Sequence, residues 1–273
     1  MPLAYYFDPP TREYWSSLWQ GQELRALLAI AAIDPLSDHL LRYLPKRQPI
    51  LEGGCGLGQY VAYFRERGYQ IIGGDYSIEA LETHRQVYAE SPLVGLDLRA
   101  MPFLNESLGA HISLGVIEHL EALEKTRTLL CEFWRTLCPN GILLLGVPWM
   151  NGYRTVLGPW LQCRQNRQRA AGKPFYQYAF SRRELSILLE GTGFRVLAFR
   201  PYSPARGMRE LPLFAKLHDR LKKRRSSSLA TMDPATRSTV QAHGARRLLY
   251  WPPILWMFSH MILAIARKEG ASQ

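Results

Sequence analysis

The sequence predicts an α/β fold: a doubly wound, mostly parallel sheet with helices on both faces. Three observations carry this. Short apolar runs alternate with helix-length amphipathic segments, a glycine-rich turn joins the first run to the helix after it, and 273 residues at 47% hydrophobic content can bury one sizeable core. Two domains are not required, so 1–273 reads as a single unit.

Residues 1–47 precede the first run. Tyr5, Tyr6, Tyr14, Trp15 and Trp19 crowd this stretch ahead of an apolar-periodic helix expected from about Gln22 to Leu44. Aromatics this dense fit either a lid over a ligand or the packing of a covering helix. Pro49, Ile50 and Leu51 then suit a buried strand, and Val61, Ala62 and Phe64 give an apolar face to a helix over 59–66.

Between them stands Glu52-Gly53-Gly54-Cys55-Gly56-Leu57-Gly58. Glycine lacks Cβ, so the backbone can take positive φ and a ligand can lie against it, while the helix start offers free N–H donors. A dinucleotide fingerprint counted from Gly54 and Gly56 needs a third glycine at position 59, where Gln59 stands. That weakens the reading as a nicotinamide-dependent dehydrogenase.

Residues 69–75 read as a second buried strand ending in Asp75, the place where doubly wound folds hydrogen-bond a ribose diol. Ser77 suits the N-cap of the next helix, expected over 78–89, which leaves Asp75 for the ribose. Leu93 to Asp97 forms a third short strand, followed by Met101-Pro102-Phe103.

The acidic-x-Gly-x-Gly-x-Gly pattern from Glu52 through Gly58 resembles motif I of the class I S-adenosylmethionine-dependent methyltransferases. His111 to Leu120 resembles that family's fourth strand and its Glu118-His119 turn, and Cys138-Pro139-Asn140-Gly141 before 142–147 resembles the turn into a fifth strand. The likeness runs over residues 48–200 with the motifs in family order. It implies a Rossmann-like sheet of seven strands, mostly parallel with the last antiparallel, at 261–266. The implied cofactor is S-adenosyl-L-methionine, held by the half spanning 48–147. Its implied contacts are Glu52, whose carboxylate suits an ammonium, Gly54, Cys55, Gly56, Gly58, Asp75, Tyr76, Asp97 facing the adenine amino group, Leu98 and Gly115. The family's aspartate before the fourth strand is missing, since Gly109 and Ala110 occupy that stretch, and no role is carried over to it.

Substrate choice falls to the remaining segments. The N-terminal aromatics offer Tyr6 and Trp15. The loop 148–178 starts beyond the end of a strand and so overhangs the site, offering Trp149, Tyr153, Arg154 and Trp160. Arg164, Arg167 and Arg169 share a helix face that reads as solvated. Ser181 and Glu184 form a capping box for the next helix, and a strand follows at 194–200.

Residues 201–258 contain Lys222-Lys223-Arg224-Arg225-Ser226-Ser227-Ser228, a basic loop. A net charge of +11 and a pI near 9.7 favour an acidic partner such as anionic lipid, nucleic acid or an acidic small molecule. The uncharged run 248–266 is long enough to span a membrane, but Pro252-Pro253 and Ser259-His260 interrupt it. A core helix plus the last strand is the favoured reading. An interfacial helix over 248–258, giving peripheral membrane contact through 205–258, is the alternative.

A sulfonium methyl group is already activated, so the chemistry requires water exclusion, in-line positioning and removal of a proton, and no metal. His119 is the candidate general base, with His218 and His260 behind it. Cys55, Cys131, Cys138 and Cys163 form no Cys-x-x-Cys pair, and no leader pattern opens the sequence, so a reduced, cytoplasmic setting is expected. The expected activity is methyl transfer to a small-molecule or lipid-like acceptor. A nucleic-acid methyltransferase is disfavoured because Gly115-Val116-Ile117-Glu118 replaces an Asn-Pro-Pro-Tyr-type motif. A non-catalytic membrane-surface protein that binds the cofactor is the reading from another class.

Overall fold

The computed structural model describes residues 2–7, 11–19, 22–211 and 249–270. The basic stretch 222–228 and His218 lie outside the described residues.

Seven strands make the main sheet: β2 (Ile50–Gly53), β3 (Ile71–Asp75), β4 (Leu93–Gly95), β5 (Leu108–Leu114), β6 (Leu137–Pro148), β8 (Phe194–Tyr202) and β9 (Met261–Lys268). Their order is β4-β3-β2-β5-β6-β9-β8, with β9 antiparallel to both of its neighbours. The chain runs from β2 outward to β4, then returns to β5 on the other side of β2. The β2–β5 seam is therefore the topological switch point, where a crevice opens beyond the carboxyl ends of the strands.

Alternation along the strands separates two apolar layers. Leu143, Leu145, Ile262 and Ala264 face one cluster with Leu130, Phe133, Leu185 and Leu189, from helices α6 (Leu123–Thr136) and α9 (Arg182–Glu190). Leu144, Leu263 and Ile265 face the other, with Leu36 and Leu40 of α3 (Pro35–Leu41), Val61 and Phe64 of α4 (Gln59–Arg65) and Leu81 of α5 (Ile78–Val87). A strand buried on both faces reads as a continuous apolar run, which is why these segments were legible.

Two expectations are corrected. The single helix expected over 22–44 is two, α2 (Leu24–Ala31) and α3, because Pro35 cannot continue a helix and Asp34 caps the new start by accepting the Leu36 N–H at 3.0 Å. The segment 148–178 is not a loop: it folds as α7 (Gly152–Val156), α8 (Gly158–Ala170) and β7 (Phe175–Ala179). Strand β7 pairs antiparallel with β1 (Leu3–Tyr6), tying the N-terminus to that region, and α1 (Arg12–Trp19) follows it. The Arg164, Arg167 and Arg169 side chains are exposed on α8.

The Ser181–Glu184 capping box is present in both directions. After β8 come α10 (Pro204–Met208) and, beyond 212–248, α11 (Pro252–Phe258). Among the described residues no helix is long and apolar enough to cross a membrane.

Candidate active site

A cavity of about 950 Å³ opens beyond the carboxyl ends of β2 to β6. Its floor is the glycine turn. Gly54, Gly56 and Gly58 all have positive φ, at 74°, 54° and 68°, and neighbouring side chains close in on each. A Cβ at Gly54 would lie 2.3 Å from Val116, one at Gly56 2.4 Å from the Trp19 ring, and one at Gly58 2.5 Å from His84. These positions therefore exclude other residues on both conformation and space.

Two hydrogen-bond systems hold the turn. Asp75, at the end of β3, accepts the Gly56 N–H at 2.7 Å and the Ser77 N–H at 2.9 Å. His84, fully buried on α5, meets the Leu57 carbonyl at 2.8 Å through Nδ1 and Ser91 Oγ at 2.7 Å through Nε2. Since a carbonyl only accepts, Nδ1 carries the proton, and burial keeps the ring neutral by lowering its pKa.

Glu52 sits at the last turn of β2, almost fully buried, with Oε2 lacking any hydrogen-bond partner. Burial pushes its pKa up to about 8; a backbone hydrogen bond from Val61 opposes this and the nearby Asp75 charge adds to it. An unpaired buried carboxyl is costly, and the cavity it lines is the place where a cation would satisfy it. Asp97 lines the cavity after β4 and is half-exposed, where Arg99 Nε donates to both of its oxygens.

The opposite wall is aromatic. Tyr14, Trp15 and Trp19 of α1 roof the cavity together with Phe175 and Tyr176 of β7. The Tyr14 and Tyr176 hydroxyls meet at 3.3 Å. The His119 ring is wedged between Trp15 and Tyr176, with centroids 4.8 and 5.1 Å away. His119 Nδ1 lies 2.8 Å from the Tyr176 carbonyl, so Nδ1 holds the proton and Nε2 keeps a lone pair. Burial lowers its pKa to about 4, leaving it neutral. Beside it Glu118 is buried, with Oε2 unpartnered and its pKa pushed up to about 8 by burial.

Residues 51–145 match the model of the methyltransferase domain family. A probable S-adenosylmethionine-dependent methyltransferase of Mycolicibacterium smegmatis is 30% identical over 150 residues, 54% of this chain and 52% of that protein. The malonyl-[acyl-carrier protein] O-methyltransferase of Hamiltonella defensa is 24% identical over 115 residues, 42% of this chain and 43% of that one. The matched stretches thus span about half the length of these curated relatives. Among solved structures, a methyltransferase from Methanosarcina mazei shares the fold with a TM-score of 0.57 at 15% identity, covering 86% of this chain and 97% of that one.

Residues 51–145 carry a methyltransferase domain, and the chain shares its fold with S-adenosylmethionine-dependent methyltransferases.

The residues present fit S-adenosylmethionine as a cofactor. The orphaned Glu52 oxygen suits the ammonium, and Gly54 and Gly58 of the turn line the same cavity. Of the cofactor contacts expected from sequence, Glu52, Gly54, Cys55, Gly58, Asp75, Tyr76, Asp97, Leu98 and Gly115 line the cavity. Gly56 does not: the Trp19 ring covers it, and its N–H is taken by Asp75. Nor is Asp75 free of backbone duties, as its sequence context suggested, although each oxygen keeps a second lone pair.

Of the residues expected to meet substrate, only Trp15 lines the cavity. Tyr6 is spent on the β1–β7 pairing. Trp149 is buried in the core, with Arg182 over its ring. Tyr153 lies on α7 outside the cavity, and Trp160 is exposed on α8. Arg154 is 2% exposed and points inward: Nη1 donates to the Trp149 carbonyl at 2.7 Å, and Nε and Nη2 pair with Glu210. An arginine at the start of a predicted overhanging loop looked available only because α7 was not anticipated.

Sequence reasoning missed Tyr176, Tyr202, Ser203, Arg206 and Glu118 as cavity residues. Tyr176 sits on a strand recognisable only through its β1 partner, and Arg206 on a one-turn helix without periodicity. Glu118 alone had a signal, its place in the Glu-His turn. Among the described residues no group of His, Cys, Asp or Glu is placed to hold a metal.

Proposed function

We propose that this methyltransferase transfers a methyl group to a small-molecule or lipid-like acceptor by in-line displacement. The observation that supports this most is one switch-point cavity with the glycine turn and the orphaned Glu52 oxygen on one side and an aromatic wall on the other. When bound, S-adenosylmethionine supplies a methyl group on a sulfonium, which leaves as a neutral thioether. Glu52 and Asp75 would hold that ligand's ammonium and ribose, and Asp97 would face its adenine. Trp15, Tyr14 and Tyr176 exclude water and orient the acceptor. His119 Nε2 accepts the proton that the acceptor heteroatom sheds as its lone pair forms the new bond to carbon.

Calorimetry with S-adenosylhomocysteine tests the cofactor half of this reading; no binding would sink it. For the acceptor, the protein is incubated with methyl-labelled donor and separate pools of lipid, small metabolites and bulk tRNA. Label in the lipid or small-molecule pool is the expected result, and label confined to tRNA would overturn it.

Peripheral lipid contact is supported by α11, which buries none of its residues, and by Trp251 and Trp256, 59% and 51% exposed. Indoles at a polar surface favour a lipid interface. Flotation with vesicles containing anionic lipid checks this: the W251A/W256A double variant is expected to lose the vesicles, and equal flotation would discard the contact.

A further inference from the structure

The acceptor half of the cavity carries a cation with no counter-ion among the described residues. Arg206 of α10 lines it next to Tyr202, Ser203 and His260, and makes no ion pair among the described residues. The nearby carboxylate, Glu210, is already committed to Arg154 and His260.

The backbone that presents Arg206 is held under constraint. Ser203 adopts a left-handed conformation, φ 56° and ψ 50°, that a non-glycine residue enters at a cost. Its carbonyl accepts the His260 N–H. Gly207 lies so close to the Phe258 carbonyl that a Cβ would stand 1.7 Å from the oxygen. These two positions pin α10 against the end of α11 and fix where residue 206 emerges.

The charge of Arg206 is felt by Glu118, Tyr176, Tyr202 and His260, which all line the cavity. Among them Glu118 holds the buried oxygen without a partner. A guanidinium that shares a cavity with a carboxyl that keeps its proton makes a donor pair: one offers N–H groups, the other an O–H. An oxyanion accepts from both and offsets the charge, whereas a neutral oxygen can accept but leaves the guanidinium without a counter-charge.

We propose that Arg206 and Glu118 form an oxyanion subsite, so that the acceptor carries a carboxylate or phosphate group alongside the atom that is methylated. This rests on the methyltransferase reading above and adds the charge class of the acceptor to it. A fixed anion near the transferring sulfonium also favours docking of the acceptor after the donor, since opposite charges attract.

The probes are benzoate and phenyl phosphate, with benzyl alcohol as the uncharged control, titrated into protein saturated with S-adenosylhomocysteine. At least one of the two anions is expected to bind about tenfold or more tightly than the alcohol, and the preferred one identifies carboxylate or phosphate as the group read. R206Q is expected to lose that preference while S-adenosylhomocysteine binding stays within about twofold, and R206K to recover part of it. K125Q, which removes another cavity-lining cation, is expected to leave the preference intact. Equal loss in K125Q and R206Q would mean a diffuse field and no subsite. Anion binding that ignores R206Q overturns the inference alone, and so does an R206Q variant that loses S-adenosylhomocysteine in step with the anion. Failure of the unsubstituted protein to bind S-adenosylhomocysteine overturns the reading beneath it.

Discussion

The Asp75 carboxylate accepts the Gly56 N–H at 2.7 Å, so the residue read as the ribose ligand is also the clasp that shapes the glycine turn. Its other oxygen takes the Ser77 N–H at the start of α5. One side chain thus joins the end of β3, the turn after β2 and a helix start. Asp75→Ala removes two charge-assisted bonds and leaves buried donors unpaired, a loss of about 2–4 kcal/mol in stability. It is also expected to lower S-adenosylhomocysteine affinity by more than tenfold. Asp75→Asn keeps one acceptor and should fall between the two in denaturant melts. If Asp75→Ala binds as tightly as the parent, the carboxylate is a clasp only.

Stability without ligand should peak near pH 6.5. Glu52 and Glu118 have pKa values raised by burial from 4.5 to about 8, so the folded protein holds more protons than the unfolded chain, and stability falls as pH rises through that window. His111, His119 and His260 have pKa values lowered by burial from 6.5 to about 3, 4 and 4, so they act oppositely: stability falls as pH drops below 6.5. Above 6.5 only the carboxyls remain, and two such groups predict a loss of about 3 kcal/mol between pH 6.5 and 8. Urea melts across this range measure it. Glu52→Gln should remove about half of the alkaline loss, and an unchanged slope would show that Glu52 is already ionised in the folded state.

Binding should release a proton. An ammonium brought against Glu52 favours its charged form, so a carboxyl with a pKa near 8 ionises as the ligand enters. Affinity for S-adenosylhomocysteine is therefore expected to rise from pH 6 to pH 8. Calorimetry at pH 7 in two buffers of different ionisation enthalpy should report close to one proton released, falling toward zero in Glu52→Gln. Proton uptake would contradict this assignment of the ammonium site.

How much of this was legible follows from which interactions are local. The turn Glu52 to Gly58, the carboxylate ending β3 and the Ser77 and Ser181 caps depend on residues a few positions apart, and their spacing showed in the sequence. The acceptor wall depends on pairings such as Tyr5 with Gln177 and His119 Nδ1 with the Tyr176 carbonyl, which no short window contains. The split at Asp34-Pro35 was readable in principle, since proline at a helix start behind an aspartate cap is a local signal that the long apolar periodicity masked. Arg154 was misplaced because an arginine in a predicted loop defaults to the surface, and only its inward partners reverse that.

Those partners make Arg154 the most sensitive side chain outside the cavity. Its guanidinium meets the Trp149 and His260 carbonyls and the Glu210 carboxylate, linking the ends of β6 and β9 to α10. Burial raises the Glu210 pKa, but hydrogen bonds from His260 and Arg154 more than offset this and bring it to about 2. Truncating one member of such a network leaves the others buried and unpaired. Arg154→Ala is therefore expected to cost about 3–5 kcal/mol in urea unfolding. The double variant Arg154→Met with Glu210→Met removes both charges and should cost less than Arg154→Ala alone, since no isolated carboxylate remains. If the double variant is the less stable of the two, the network contributes more than the repair of its own burial. S-adenosylhomocysteine binding, measured on whatever fraction stays folded, should be retained in both, because neither residue lines the cavity.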